Sequence, residues 1–283
     1  METLTLKSPA KVNLRLEILR RRKDGYHELR TIYQKINLSD TLYFSLKKGK
    51  GISIETDHPG LSTGEDNLVC RAIRLVTNES GYRDGMRVKI EKRIPLGAGL
   101  GGGSSNAAST LMAMDRLLGL KLSKKRLMEM GLQIGADVPF FFLRGAAVAS
   151  GVGEKLKRIE LPSLRFVLIY PNFEVSTRWA YQNFVLTRAR FRLNLQTFPR
   201  SLRGISSALW NDLESVVSKE HPQIEEMKAV LVSSGSLGTL MTGSGPTVFG
   251  IFSADKDATR AYRKVKKIGK GKNWIVLKAH SIP

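Results

Sequence analysis

The sequence predicts an α+β chain of two domains, and three observations carry that expectation. The opening is rich in extended runs that alternate apolar and polar side chains. A strand, a glycine-rich loop and a helix follow one another between residues 87 and 119. The composition changes near Pro162 to Pro171, and short strands and helices follow. With 283 residues, 42% of them hydrophobic, the chain can bury full cores, and residues 1–160 and 161–283 are the expected domains.

Leu4 to Leu19 reads as strands leading toward a turn at Asp24-Gly25. Leu29 to Leu38, Leu42 to Leu46 and Gly51 to Thr56 continue the extended pattern. Asp66 is the expected N-cap of a helix that puts Leu68, Val69, Ala72, Ile73 and Val76 on one face and stops at Gly81. Arg87 to Ile94 alternates as a half-buried strand should. Ala107, Ala108, Leu111, Met114, Leu117 and Leu118 then recur at helical spacing as far as Gly119. Ser123 caps a shorter helix to about Ile134, after which Gly135, Pro139 and the apolar Phe140 to Leu143 mark a turn into a strand. Phe166 to Ile169 is a strand that leads into an arginine-rich connector. Ile224 to Val232 reads as helix, and Gly238 to Thr242 and Thr247 to Phe252 as strands around Gly243-Ser244-Gly245. A basic helix and a strand from Trp274 to Ala279 complete the pattern.

Cys70 is the only cysteine, which rules out an internal disulfide and points to a reducing, cytoplasmic setting. Met1 to Leu16 lacks the apolar run of a secretion signal, and no stretch approaches the roughly 18 apolar residues of a membrane span. The 46 Lys and Arg against 25 Asp and Glu leave a net charge of +21, which attracts anions. Two stretches concentrate it: residues 256–278, with nine cations and the single acid Asp257, and Thr177 to Asn211, with six arginines and no acid. Dedicated nucleic-acid binders interleave such charge with aromatics, which are 7% of this chain. Incidental RNA affinity is therefore expected, with no dedicated nucleic-acid partner, no membrane partner, and a monomer or weak homodimer.

The densest signal is Pro95-Leu96-Gly97-Ala98-Gly99-Leu100-Gly101-Gly102-Gly103-Ser104-Ser105, directly before a helix. Backbone without Cβ atoms approaches a polyphosphate closely, and the unpaired N–H groups of a helix start point at negative charge. Ser104 and Ser105 add hydroxyls able to hold a phosphate oxygen or complete a Mg²⁺ shell. Gly97 to Gly102 spells a dinucleotide-binding pattern, but that pattern expects an acidic residue about twenty positions on, and the nearest acids are Asp115 and Glu129. Without a Gly-Lys-Ser/Thr ending it is not a Walker loop either. The alternative is a tight turn required by packing.

The loop, with Ser8-Pro9-Ala10-Lys11-Val12-Asn13-Leu14 near the start and Met241-Thr242-Gly243-Ser244-Gly245-Pro246-Thr247 near the end, resembles the GHMP kinases, named for galactokinase, homoserine, mevalonate and phosphomevalonate kinases. Asp24-Gly25-Tyr26-His27-Glu28-Leu29 and Gly135-Ala136-Asp137-Val138-Pro139-Phe140 are similar to the branch that acts on a cytidine diphosphate-linked methylerythritol in the non-mevalonate isoprenoid pathway. The resemblance implies a ribosomal-protein-S5-like N-terminal domain and a ferredoxin-like C-terminal domain. It also implies transfer of the ATP γ-phosphoryl group, with Mg²⁺, to the 2-hydroxyl of that small-molecule substrate.

On this resemblance Asp137 is the expected base and Lys11 its partner, holding the carboxylate ionised and stabilising charge on the acceptor oxygen. Asn13 matches a substrate-binding asparagine. His27 and Tyr26 are expected to meet the cytosine by hydrogen bond and stacking, with Tyr181 as its second aromatic wall and Trp179 as the alternative. Asn67 matches a residue lining the adenine pocket, or simply caps a helix. Gly243 and Ser244 present N–H groups to substrate or phosphate, or merely form a hairpin. Thr242 and Arg15 depart from the usual serine and smaller residue, and the acid-free stretch 188–203 has no counterpart. Two alternatives remain: another GHMP kinase, for homoserine or a sugar, and a basic RNA-binding protein.

Overall fold

The computed structural model describes residues 3–186 and 197–283. The chain opens with β1 (Thr3–Arg21), β2 (His27–Lys47), β3 (Ile52–Thr56), α1 (Leu68–Ser80), β4 (Gly85–Glu91), α2 (Gly102–Leu118) and α3 (Lys124–Ile134). A 3₁₀ turn at Val138–Phe142 precedes β5 (Ala146–Gly151), β6 (Lys155–Ile159) and β7 (Arg165–Tyr170). Then come α4 (Thr177–Gln182), α5 (Leu202–Ser207), β8 (Trp210–Asn211), α6 (Glu214–Glu220), α7 (Gln223–Val232), β9 (Gly238–Met241), β10 (Val248–Phe252), α8 (Asp255–Lys270) and β11 (Ile275–His280). Most of the acid-free stretch 188–203 lies outside the described residues.

The chain divides into two compact units. One holds the residues up to Ala10, Leu38–Leu96 and Gly101–Leu143; the other holds Lys11–Asn37, Gly97–Leu100 and Arg144–Pro283. The units are not consecutive stretches, because β1 and β2, 19 and 21 residues long, each contribute to both. β1 runs unbroken through Pro9, where the sequence suggests several strands.

In the first unit, β4 pairs antiparallel with Thr41–Lys47 of β2 and parallel with β3. Helix α1 packs on α2, and α3 and the 3₁₀ turn pack beside it. The N-cap of α1 is Asn67 rather than Asp66: Asn67 Oδ1 accepts the Val69 N–H at 2.9 Å, while the Asp66 carboxylate accepts from Ser62 Oγ. Gly81, Gly119 and Ser123 punctuate the helices as the sequence suggests. The turn that Gly135, Pro139 and Phe140 to Leu143 mark is a 3₁₀ turn over Val138–Phe142, and the strand that follows begins at Ala146. Val138, Pro139, Phe140 and Phe141 are all buried in the 3₁₀ turn, and an apolar run without alternation does not distinguish the two conformations. β4 ends at Glu91, short of Ile94, because the next backbone N–H groups find carboxylates: Lys92 N–H donates to Asp57, and Arg93 and Ile94 N–H donate to Asp40.

In the second unit the strand order is β6-β5-β2-β1-β8, with β8 parallel to β1 at Arg15↔Trp210 and Leu16↔Asn211. A separate antiparallel sheet, β11-β7-β10-β9, packs against α7 and α8. Val167, Ile169, Leu213, Met227, Met241, Val248 and Val265 belong to its core. α8 is the basic helix, with Ala258, Ala261 and Val265 buried and Lys256, Arg260, Arg263, Lys267 and Lys270 exposed along one stripe. α4, capped by Ser176 Oγ accepting from Trp179 N–H, occupies part of the expected connector. Among the described residues no helix is long and apolar enough to cross a membrane.

Candidate active site

The period of two along β1 puts Lys11, Asn13, Arg15 and Glu17 on one face, and all four are buried. Buried charge and amide need partners, and a continuous chain of contacts supplies them. Lys11 Nζ donates to Asn13 Oδ1 at 2.6 Å, Asn13 Nδ2 to Thr31 Oγ1 at 2.8 Å, and Thr31 Oγ1 to the Arg15 carbonyl at 2.6 Å. Arg15 Nε donates to Glu17 Oε1 at 2.6 Å, and Arg30 takes the other carboxylate oxygen. Arg15 also donates to the Ala208 carbonyl and lies over the Trp210 ring, so its size is used structurally.

Beside this row two glycine segments of the second unit come into contact. Lys11 N–H donates to the Leu100 carbonyl at 2.9 Å, and the side chains of Ala98 and Leu100 are buried as apolar anchors. At Gly99, with φ +72°, a Cβ would lie 2.3 Å from the Thr242 carbonyl oxygen. At Gly243, with φ +59°, a Cβ would lie 3.0 Å from the Gly99 carbonyl, 3.3 Å from Lys11 Nζ and 3.5 Å from Asn13 Oδ1. Only residues without side chains permit this approach. Thr242 Oγ1 accepts the Asn13 N–H at 2.9 Å, which a serine hydroxyl would also do. Ser244 Oγ meets Thr177 Oγ1 at 2.9 Å. Asn211, which sequence reasoning missed, donates from Nδ2 to the carbonyls of Met241 and Gly243 and so braces the second turn. No local pattern announces it, since its partners lie about thirty residues away. Glu174, also missed, packs its side chain against Gly97.

The rest of the nominated loop belongs to the first unit. Pro95 and Leu96 are half-buried, Gly101 caps α2 in the left-handed region, and Gly102, Gly103, Ser104 and Ser105 form the first helical turn. Ser105 is fully buried and its Oγ has no hydrogen-bond partner, a polar oxygen available at a helix N-terminus. Asp137, in the same unit, is half-buried at the head of the 3₁₀ turn and makes no side-chain cap. Asn67 performs the capping role, and its Nδ2 donates to the Ser62 carbonyl.

His27 and Tyr181 come together in the second unit, with ring centroids 5.3 Å apart and planes tilted by 31°. Trp179 instead lies edge-on to His221. Tyr26 stands 64% exposed, an aromatic face open to a ligand. Partial burial, helped by the Arg21 charge, holds the His27 imidazole below its ordinary value. The folded state thus prefers the neutral ring, and this preference contributes stability above about pH 6.5 that is lost as pH falls below it. If neutral His27 contacts the acceptor, the acceptor KM stays flat from pH 8 to 7 and rises as the ring protonates in more acid buffer. His27→Gln is expected to flatten that limb; an unchanged profile would remove His27 from acceptor binding.

A cavity of about 1080 Å³ lined by Arg15, Trp210, Asn211, Asp212 and Lys228 lies in the second unit, and none of the nominated residues line it. Among the described residues no three His, Cys, Asp or Glu side chains gather as a metal cluster.

The glycine loop, the buried Lys11-Asn13 row and the second glycine turn place the chain in the GHMP kinase class. Residues 67–145 match the GHMP kinases N terminal domain and residues 193–271 the GHMP kinases C terminal domain, the two-domain GHMP kinase fold. Within that class the chain belongs to the 4-diphosphocytidyl-2-C-methyl-D-erythritol kinase family. It is 44% identical over 283 residues, the whole of both chains, to the protein of that name from Geobacter sulfurreducens. A crystal structure of 4-(cytidine 5'-diphospho)-2C-methyl-D-erythritol kinase superposes with a TM-score of 0.85 at 34% identity, covering 99% of this chain and 100% of that one. Homoserine kinase from Cytophaga hutchinsonii shares the fold, with a TM-score of 0.74 at 21% identity over 99% of this chain and 95% of that one.

Proposed function

We propose that the chain phosphorylates the 2-hydroxyl of 4-diphosphocytidyl-2-C-methyl-D-erythritol, using ATP and Mg²⁺, in the non-mevalonate route to isoprenoids. The observation that carries the choice of acceptor is the His27–Tyr181 ring pair, a stacking and hydrogen-bonding platform for a nucleobase in the unit that also holds Lys11 and Asn13. A homoserine or sugar acceptor gives no use to such a platform.

Bound Mg-ATP supplies the transferable γ-phosphoryl group. Residues 1–160 are assigned to nucleotide binding, with the Pro95 to Ser105 loop holding the phosphates through backbone N–H groups between Leu96 and Ser104 and with Asn67 at the adenine end. Mg²⁺ keeps most of its ligands as water and phosphate oxygen, so a hydroxyl such as Ser104, next to the unpartnered Ser105 Oγ, is a fitting hard donor. Asp137 takes the proton of the acceptor hydroxyl as its oxygen bonds to phosphorus and the bond to ADP breaks. Lys11 neutralises charge on that oxygen. Asn13, Gly243 and Ser244 orient the acceptor, and Tyr26, His27 and Tyr181 hold its cytosine.

ADP release measured with the cytidylyl substrate, homoserine, mevalonate and galactose in parallel tests the proposal. Turnover is expected with the first alone; turnover with another alcohol would keep the mechanism and remove the pathway. Loss of one stacking face costs about 1–3 kcal/mol, so Tyr181→Ala is expected to raise the acceptor KM by roughly tenfold or more. Tyr181→Phe should stay near wild type and the KM for ATP should not move.

A further inference from the structure

Asp40 and Lys92 form an ion pair that the reaction does not use. Nζ and Oδ2 are 2.8 Å apart, and the side chains are 0% and 2% exposed respectively. Such a pair is a weak source of stability, since apolar residues of similar volume often do as well. What apolar residues cannot supply is directional contact with backbone, and here there is much of it. Asp40 Oδ1 accepts from the N–H groups of both Arg93, at 2.8 Å, and Ile94, at 2.9 Å, while Lys92 Nζ donates to the Ile94 carbonyl as well as to Asp40. Both sides of Ile94 are thereby held, one residue before Pro95. The far end of the loop touches the same group: a Cβ on Gly102 would lie 3.1 Å from Ile94 Cγ2 and 3.2 Å from Lys92 Nζ.

We propose that the Asp40–Lys92 pair is a positioning unit for the nucleotide loop, fixing its entry at Ile94 against its exit at Gly102. Asp40 and Lys92 act through the backbone they hold, setting where the N–H groups of Gly101 to Ser104 point. The pair comes from the last residue of β2 before its ladder with β4 and the first residue after β4 ends, so it sits where those two strands part. The proposal rests on the reading of Pro95 to Ser105 as a phosphate cradle.

The test measures Mg-ADP affinity by titration calorimetry, both KM values and kcat, and the thermal midpoint. The variants are Lys92→Met and the doubly neutral Asp40→Asn/Lys92→Met, which leaves no unpaired charge if a single change prevents folding. Both are expected to weaken Mg-ADP binding and raise the KM for ATP at least tenfold, with the acceptor KM within twofold of wild type. The double variant should be no worse than the single, as expected of two residues acting as one unit. Folded variants that bind Mg-ADP within twofold of wild type, or that raise both KM values alike, would show a purely structural pair and overturn the proposal. Wild-type protein that binds no Mg-ADP would instead overturn the cradle itself, and the proposal with it.

Discussion

Asp137→Asn is expected to lower kcat by about 10²–10⁴-fold, the usual contribution of a positioned general base, while the KM for ATP and the thermal midpoint stay close to wild type. The amide is nearly isosteric, and Asp137 makes no side-chain cap on the 3₁₀ turn. An amide cannot take a proton at neutral pH. A fall in thermal midpoint with kcat per folded molecule unchanged would make Asp137 a turn residue and nothing more. A rise in both KM values without a change in kcat would move it from proton transfer to binding.

The second large effect is expected at Gly99. Gly99→Ala places a methyl 2.3 Å from the Thr242 carbonyl oxygen and 3.0 Å from that of Gly245, in a backbone conformation with φ +72°. The left-handed conformation costs about 1–2 kcal/mol and overpacking another 1–3, so destabilisation of about 2–5 kcal/mol is expected. Gly119→Ala is the comparison, since Gly119 has φ +61° and nothing within 4 Å of its missing Cβ. It incurs the conformational cost alone. Calorimetry of the two variants separates the terms: equal losses would mean that the contact between the glycine segments yields without strain. Activity should fall more than stability in Gly99→Ala, because the displaced Thr242 also holds the Asn13 backbone.

The helices of the first unit are legible in the sequence because their punctuation is local: Gly81, Gly119 and Ser123 lie next to the residues they cap. Asp66 and Asn67 are both good caps, and only the neighbouring Ser62, which occupies Asp66, decides between them. The glycine segments can be read as special, but not as touching, since Gly99 and Thr242 are separated by about half the chain. Phe140 and Phe141 carry the apolar content of a strand and none of its alternation, so burial inside the unit sets their conformation. α4 is six residues long, too short for a helical period to show, yet it brings Tyr181 to His27. Nothing local in the sequence marks Asp40 and Lys92 as partners; only the meeting of β2 and β4 makes them a pair.

The polar row on β1 makes that strand a ruler as well as a scaffold. Both of its faces are buried, one carrying Lys11, Asn13, Arg15 and Glu17 and the other Val12, Leu14, Leu16 and Ile18. Changing one side chain perturbs one position. Losing or gaining one residue exchanges the faces for everything beyond it, sending aliphatic groups to Thr31 and Arg30 and stranding cations in the core. Between Ala10 and Leu19 the tolerance of the chain to changes in length is therefore far narrower than its tolerance to changes in identity.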